Sequence, residues 1–196
     1  MPSFATLILA AGKSERMGMP KIWLPYKKGN FLDQIITTYN ESNIRNIYVI
    51  INVTVLSNFT SKVYRYASKG VNFVLNTNPN SNRLQSVQIG LNKISSDFVF
   101  IQNIDSPFVS KKTIQQLALN NCDFKTLIPT YNNQKGHPIL ISKYIQHQII
   151  NTDNKDKTLR DVIYANPCST LEINDKHILT NINYKEDYQN ILNELV

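Results

Sequence analysis

Cysteine is close to missing. The two in this 196-residue chain, Cys122 and Cys168, lie far apart and form no C-x-x-C spacing. A structural zinc site needs more ligands than that, so both are expected to be free buried thiols in a reducing compartment. Long apolar runs are missing as well. The N-terminal one, Phe4 to Ala10, has no basic region before it and is far too short to span a bilayer. That argues against a membrane segment and for a cytoplasmic location. Acidic residues are outnumbered, 14 against 21 basic, and the net charge of +7 suggests an anionic partner. No basic run exceeds two residues and no aromatic RNA-binding motif is present, so nucleic acid is not the expected partner. Internal repeats and low-complexity linkers are also lacking. With 42% hydrophobic and 18% charged residues, the length suits one domain with a real core.

Glycine is scarce too, and its positions decide between phosphate loops. Phe4–Ala10 reads as a buried strand that opens into a small, basic loop carrying Lys13, Arg16 and Lys21. Such a loop suits a polyphosphate. Small residues let the backbone approach, N–H groups point at anionic oxygens, and the cations neutralise charge. Gly12-Lys13-Ser14 resembles the end of a Walker A loop, but Leu7 stands where that loop requires its first glycine. Only Gly12 and Gly18 are available, so G-x-G-x-x-G cannot be assembled either.

Downstream, apolar strands alternate with helices. Strands are expected at 46–52, 71–75, 97–103 and 124–129, and helices at 31–42, 57–68, 84–94 and from the cap Ser110 to Leu119. Pro20 and Pro25 argue against a helix through the exit of the loop. The alternation indicates parallel β-α-β units. After Tyr131 the pattern loosens into a loop and strand (134–142), helices at 143–150 and 158–164, a strand at 169–173 and a closing helix at 184–195. The expected division is a nucleotide-binding half, 1–130, and an acceptor-binding half, 131–196, of one domain. Ligands of open parallel sheets sit beyond the carboxyl ends of the strands, where both the basic loop and Asp105 fall. An acid at such an end is placed to hold Mg²⁺ against a triphosphate; its plainer role is that of a turn Asp before Ser106-Pro107.

The run from Leu9 to Lys21, Leu-Ala-Ala-Gly-Lys-Ser-Glu-Arg-Met-Gly-Met-Pro-Lys, meets every fixed position of L-A-A-G-x-S-x-R-M-G-x-P-K. It resembles the signature of the MobA-like nucleotidyltransferases, a family that includes enzymes attaching CMP or GMP to molybdopterin and is related to sugar-phosphate nucleotidyltransferases. The resemblance runs from Leu7 to about Tyr188. It implies a three-layer α/β/α sandwich with a mainly parallel, Rossmann-like sheet of the nucleotide-diphospho-sugar transferase type. It implies nucleotide contacts for Leu9, Ala10, Ala11, Gly12, Lys13 and Ser14, and charge stabilisation by the catalytic cations Arg16 and Lys21. Gln102–Pro107 is similar to the family's D-x-P motif, which makes Asp105 a metal ligand. Ser81–Leu91 resembles a second motif near the base through Ser86, Gly90 and Leu91, while Asn82 and Gln85 depart from it. Ser86 then either bonds a pyrimidine edge or caps the helix.

Gly136-His137-Pro138-Ile139-Leu140 is similar to a segment of the cytidylyl branch on the acceptor side, giving His137 an acceptor contact rather than proton transfer. Arg160, in a later segment, reaches an acceptor phosphate or pairs with Asp156 or Asp161 on the surface. Thr180–Tyr188 resembles a segment carrying a second metal ligand, but both of its aspartates are Asn here. Asn181 is the expected ligand, and Asn183, three residues before Glu186, the expected cap of the closing helix.

The implied reaction moves an NMP from an NTP onto a phosphorylated acceptor and releases pyrophosphate, with Mg²⁺ as cofactor and no covalent intermediate. Leu-Ala-Ala-Gly in place of Leu-Ala-Gly-Gly, together with Gly-His-Pro, favours CTP as donor, molybdopterin as acceptor and a molybdoenzyme as recipient. The alternatives are guanylyl transfer, sugar- or alditol-phosphate nucleotidyl transfer, and a non-catalytic carrier of the molybdenum cofactor. The neutral Asn181 and Asn183 keep the carrier open.

Overall fold

The computed structural model describes residues 1–78, 80–120, 125–153 and 156–194. Cys122 and the expected strand start at 124 and helix end at 195 lie outside the described residues. In chain order the elements are β1 (Phe4–Leu9), β2 (Pro25–Tyr26), β3 (Gly29–Asn30), α1 (Phe31–Glu41), β4 (Ile47–Asn52), α2 (Val53–Asn58), α3 (Thr60–Ala67), β5 (Asn72–Asn76), α4 (Arg83–Leu91) and β6 (Phe98–Asn103). Then come α5 (Lys111–Leu119), β7 (Thr126–Tyr131), β8 (Gln134–Lys135), β9 (Ile139–Ser142), α6 (Lys143–Ile150), α7 (Leu159–Tyr164), β10 (Cys168–Glu172) and α8 (Lys185–Glu194).

One sheet carries the strand order β10-β7-β9-β6-β1-β4-β5, with β8 paired to β7, and β2 and β3 form a separate hairpin. β1 pairs in parallel with both β4 and β6, and β4 with β5. β9 enters antiparallel between β6 and β7, and β10 runs parallel to β7. Strand alternation sorts the core into two faces. Ala5, Leu7, Val99, Ile101 and Ile141 pack under α4, α6 and α7. Ile8, Ile47, Val49, Ile51 and Phe100 pack on the other face against residues of α1, α3, α5 and α8. Each large side chain so buried contributes about 1.5–3 kcal/mol of transfer free energy. The outcome is the expected three-layer sandwich with a mainly parallel sheet. Among the described residues no helix is long and apolar enough to cross a membrane.

Where the structure differs from expectation, local chemistry explains it. The helix expected at 57–68 is two helices. α2 begins at Val53 because the Asn52 side chain caps it, accepting from the Val55 N–H at 2.8 Å. The β-branched run Val53-Thr54-Val55 hides that start. The segment at 11–24 holds two 3-10 turns, Glu15–Met17 and Lys21–Trp23, in keeping with the barrier set by Pro20 and Pro25. α4 sits flat on β1 because Gly90 faces Leu7: a Cβ there would lie 2.5 Å from Leu7 Cδ1. A capping box between Asn82 and Gln85 fixes where α4 starts.

Candidate active site

β5, β4, β1 and β6 run in the same direction, so Asn76, Asn52, Leu9 and Asn103 end on one edge. The connection after β1 goes to β4 on one side, whereas β6 lies on the other. The crevice of an open sheet opens at such a reversal. Three of these four ends are asparagines, and each ties down a loop. Asn52 Nδ2 donates to the Ala11 carbonyl at 3.0 Å. Asn76 Nδ2 donates to the hydroxyls of Ser81 and Ser86. Asn103 Oδ1 accepts from the Arg83 guanidinium.

The basic loop is folded by its own backbone. Ser14 is left-handed (φ 54°), its carbonyl accepts from the Met17 N–H, and its hydroxyl accepts from the Lys21 N–H at 3.3 Å. Met17 plugs into the core, 4% exposed, which leaves the flanking Arg16 and Lys21 on the cleft. Arg16 Nη1 donates to the Tyr184 hydroxyl at 3.0 Å with its guanidinium 5.2 Å from the ring centre. Lys21 Nζ sits 3.5 Å from Asp105 Oδ2 and donates to Asn183 Oδ1 at 3.1 Å. Asp105 Oδ1 is buried and has no hydrogen-bond partner. Beside Gly12 a Cβ would meet nothing within 4 Å, so the loop leaves open space where a ligand's phosphates would lie.

Several cavities lie along this edge: one of about 780 Å³ is lined by Ala11, Gly12, Lys13, Asn52, Asn76 and Ser81 among others, and three more follow one another. The first, about 280 Å³, is lined by Leu9, Ala10, Gly12, Lys13, Ser14, Arg16, Lys21, Asp105 and Asn183 among others. The second, about 270 Å³, shares Leu9, Gly12 and Asp105 with the first and adds Ala11, Ser81 and Ser86. The third, about 440 Å³, contains His137 and Arg160 and shares Arg83 with the second. Nearly every residue the sequence singled out therefore faces one continuous cleft.

Asn181 and Asn183 do not take the places expected of them. Asn181 Oδ1 accepts from the Ser106 hydroxyl at 2.8 Å, Nδ2 donates to the Leu179 carbonyl, and the residue does not line the first cavity. The Asn183 side chain is not a helix cap; it faces Lys21 and the cavity. Asp187 does the capping, its carboxylate accepting from the N–H groups of Asn183 and Tyr184. Asp is the better acceptor at this position of a helix N-terminus, which frees the Asn183 amide for the cleft. Arg160 places its guanidinium 5.4 Å from the Tyr164 ring centre, while the Asp161 carboxylate accepts from Thr158 in a capping box. Ser86 is not the helix cap either, since Asn82 holds that role.

His137 anchors the third cavity. Its backbone N–H donates to the Ile178 carbonyl at 2.9 Å, and its ring Nδ1 is buried without a partner. Burial, then the charge of Arg83, lower its pKa from 6.5 to about 4, against the opposing pull of Asp105. The ring is therefore neutral at pH 7. Arg83 was missed by sequence reasoning. Only its place one residue after the cap Asn82, at the mouth of the crevice, marks it in the sequence.

Comparison with known proteins accords with this geometry. The chain is 27% identical over 191 residues to the molybdenum cofactor cytidylyltransferase of Escherichia coli (strain K12), covering 96% of this chain and 95% of that protein. It is 25% identical over 154 residues to a probable molybdenum cofactor guanylyltransferase of Clostridium perfringens (strain SM101 / Type A), covering 76% and 72%. Among solved structures, a nucleotidyl transferase from Methanothermobacter thermautotroptrophicus superposes with a TM-score of 0.78 at 16% identity, over 98% of this chain and 97% of that one. The MobA-like NTP transferase domain matches residues 6–170. The chain is thus a nucleotidyltransferase of the MobA-like NTP transferase family.

Proposed function

We propose that this protein transfers CMP from CTP to the phosphate of a molybdopterin-type acceptor, releasing pyrophosphate. The observation that carries the reading is the junction at Asp105. There a phosphate loop with two cations meets a carboxylate whose second oxygen is buried and unpaired. The cleft continues on either side of it. An acceptor phosphate oxygen attacks the α-phosphorus, a new P–O bond forms, and the bond to the β-phosphate oxygen breaks as pyrophosphate leaves. Arg16 and Lys21 stabilise the charge that grows on the α-phosphate and the leaving group. Arg83, His137 and Arg160 orient the acceptor on the far side. The choice of CTP rests on Ala11 in place of a second loop glycine, on the Gly136-His137-Pro138 segment, and on the likeness to a cytidylyltransferase over nearly the whole chain. A cytoplasmic role feeding a molybdoenzyme follows from that reading.

The residues present fit a divalent cation. Among the described residues no three His, Cys, Asp or Glu side chains gather. Mg²⁺ is usually held by one or two carboxylates plus substrate phosphates, and Asp105 with the neutral Asn183 amide suffices for that. When bound, the ion supplies charge neutralisation between the reacting phosphates. The same neutrality of Asn183 favours a second reading, a carrier that binds the nucleotide without turnover. Thermal shift with CTP, GTP, UTP and ATP in Mg²⁺, alongside pyrophosphate release, separates the two. Selective CTP stabilisation with release supports transfer, and stabilisation without release supports the carrier. Selective GTP stabilisation moves the reading to guanylyl transfer.

A further inference from the structure

Asn76 ends β5 inside the protein, 2% exposed. The direction of its amide is fixed by its neighbours. The Asn78 backbone N–H can only donate, and it meets Asn76 Oδ1 at 3.0 Å, so Nδ2 points the other way. Nδ2 donates to the Ser86 hydroxyl at 2.9 Å and to the Ser81 hydroxyl. Both serine oxygens therefore accept from one amide. At 3.5 Å from each other they make at best a weak mutual bond. Their protons are left to face outward, and both serines line the cavity that begins at Ala11 and Gly12. The cleft thus presents two neighbouring O–H donors.

Two neighbouring donors complement two neighbouring acceptors. Cytosine offers such a pair on its O2–N3 edge. Uracil carries a donor at N3 and so lacks that pair, whereas guanine, with donors at N1 and N2, still offers an acceptor pair at O6 and N7. We infer that Asn76 sets the nucleotide choice of this site. By holding the Ser81 and Ser86 hydroxyls as paired donors, it selects cytosine over uracil. Asn76 acts through the two serines, as a positioning residue. The inference rests on the transferase reading above and explains how that reaction selects its donor. Each serine oxygen keeps a further lone pair, so the discrimination is about tenfold rather than absolute.

The test is calorimetric binding of CTP, UTP and the triphosphate of 2-pyrimidinone riboside, which keeps O2 and N3 as acceptors and lacks the exocyclic amine. Wild type should bind the pyrimidinone nucleotide within about threefold of CTP, and UTP about tenfold more weakly. In Asn76→Asp the carboxylate accepts from both serines and reverses their protons, so the CTP-to-UTP ratio falls towards one. The ratio, not the affinity, is the readout, because the added charge weakens every triphosphate alike. Should Asn76→Asp not fold, the double variant Ser81→Ala/Ser86→Ala gives the same loss of ratio with no new charge. UTP binding as tightly as CTP to wild type overturns the inference. So does a pyrimidinone nucleotide as weak as UTP, or a ratio unchanged by the variants. A wild type that binds CTP tightly with an unchanged ratio in the variants defeats this inference and leaves the transferase reading standing. A wild type that binds no nucleotide defeats the transferase reading and this inference with it.

Discussion

Lys21 and Asp105 face each other across the mouth of β1 and β6, Nζ to Oδ2 at 3.5 Å, with side chains only 13% and 25% exposed. The ammonium is shared with Asn183, and the other Asp105 oxygen is left unpaired. An ion pair this loose is a poor structural strut. It is a good pre-formed site for a charged ligand, since both partners are held near where new charge would arrive.

Lys21→Met should lower kcat/KM by about 10²–10³-fold, the usual effect of removing one group that stabilises transition-state charge. Far-ultraviolet circular dichroism should stay that of wild type. Steady-state pyrophosphate release is the measurement. A drop of only a few fold would reduce Lys21 to a loop cation.

The two asparagines give a paired comparison. Asn183→Asp adds a carboxylate beside Lys21 and Asp105, so the Mg²⁺ concentration for half-maximal activity should fall several-fold. Asn181→Asp, whose side chain meets Ser106 instead, should leave it unchanged. If Asn181→Asp were the variant with the lower requirement, the arrangement of the cleft would have to be redrawn.

His137 gives a pH signature. Its folded pKa, about 4, lies below the usual 6.5, so the fold favours the neutral ring. The unfolded chain takes up a proton first as pH falls. The stability this group contributes is full above about 6.5 and is lost between about 6.5 and 4, with a slope of at most about 1.4 kcal/mol per pH unit. Urea midpoints across that window should decline for wild type and decline less for His137→Asn. Equal slopes would show that other groups titrate there.

Gly136→Ala should destabilise the fold by about 1–3 kcal/mol, because the added Cβ lies 2.6 Å from the Ile178 carbonyl oxygen. That carbonyl also receives the His137 N–H, so acceptor binding should suffer with stability. Thermal melts and acceptor titrations check both.

The sheet and the phosphate loop were legible because both announce themselves locally. Phe4–Leu9 is apolar but for Thr6, Ile47–Ile51 and Phe98–Ile101 are apolar throughout, and the loop's glycines, proline and cations stand at fixed spacings. The split at Phe59 was not, since Val53-Thr54-Val55 carries a strand's side chains on a helix set by the Asn52 cap. The exchange between Asn181 and Asn183 was hidden because two like residues two positions apart differ only in their partners, Ser106 and Lys21, which are remote in sequence. Arg83 and Asn76 stayed silent for the same reason. Their work is done through Asn103 and through Ser81 and Ser86, contacts that exist only once the strand ends meet.

The most direct test is transfer of labelled CMP from CTP to molybdopterin by wild type and by Asp105→Asn, which keeps a partner for Lys21 but removes the charge. Wild type should form the cytidylylated product with equimolar pyrophosphate only when Mg²⁺ is present, and Asp105→Asn should lose at least about 10²-fold. Product formed at the wild-type rate by Asp105→Asn, or label passing from GTP and not from CTP, would contradict the account.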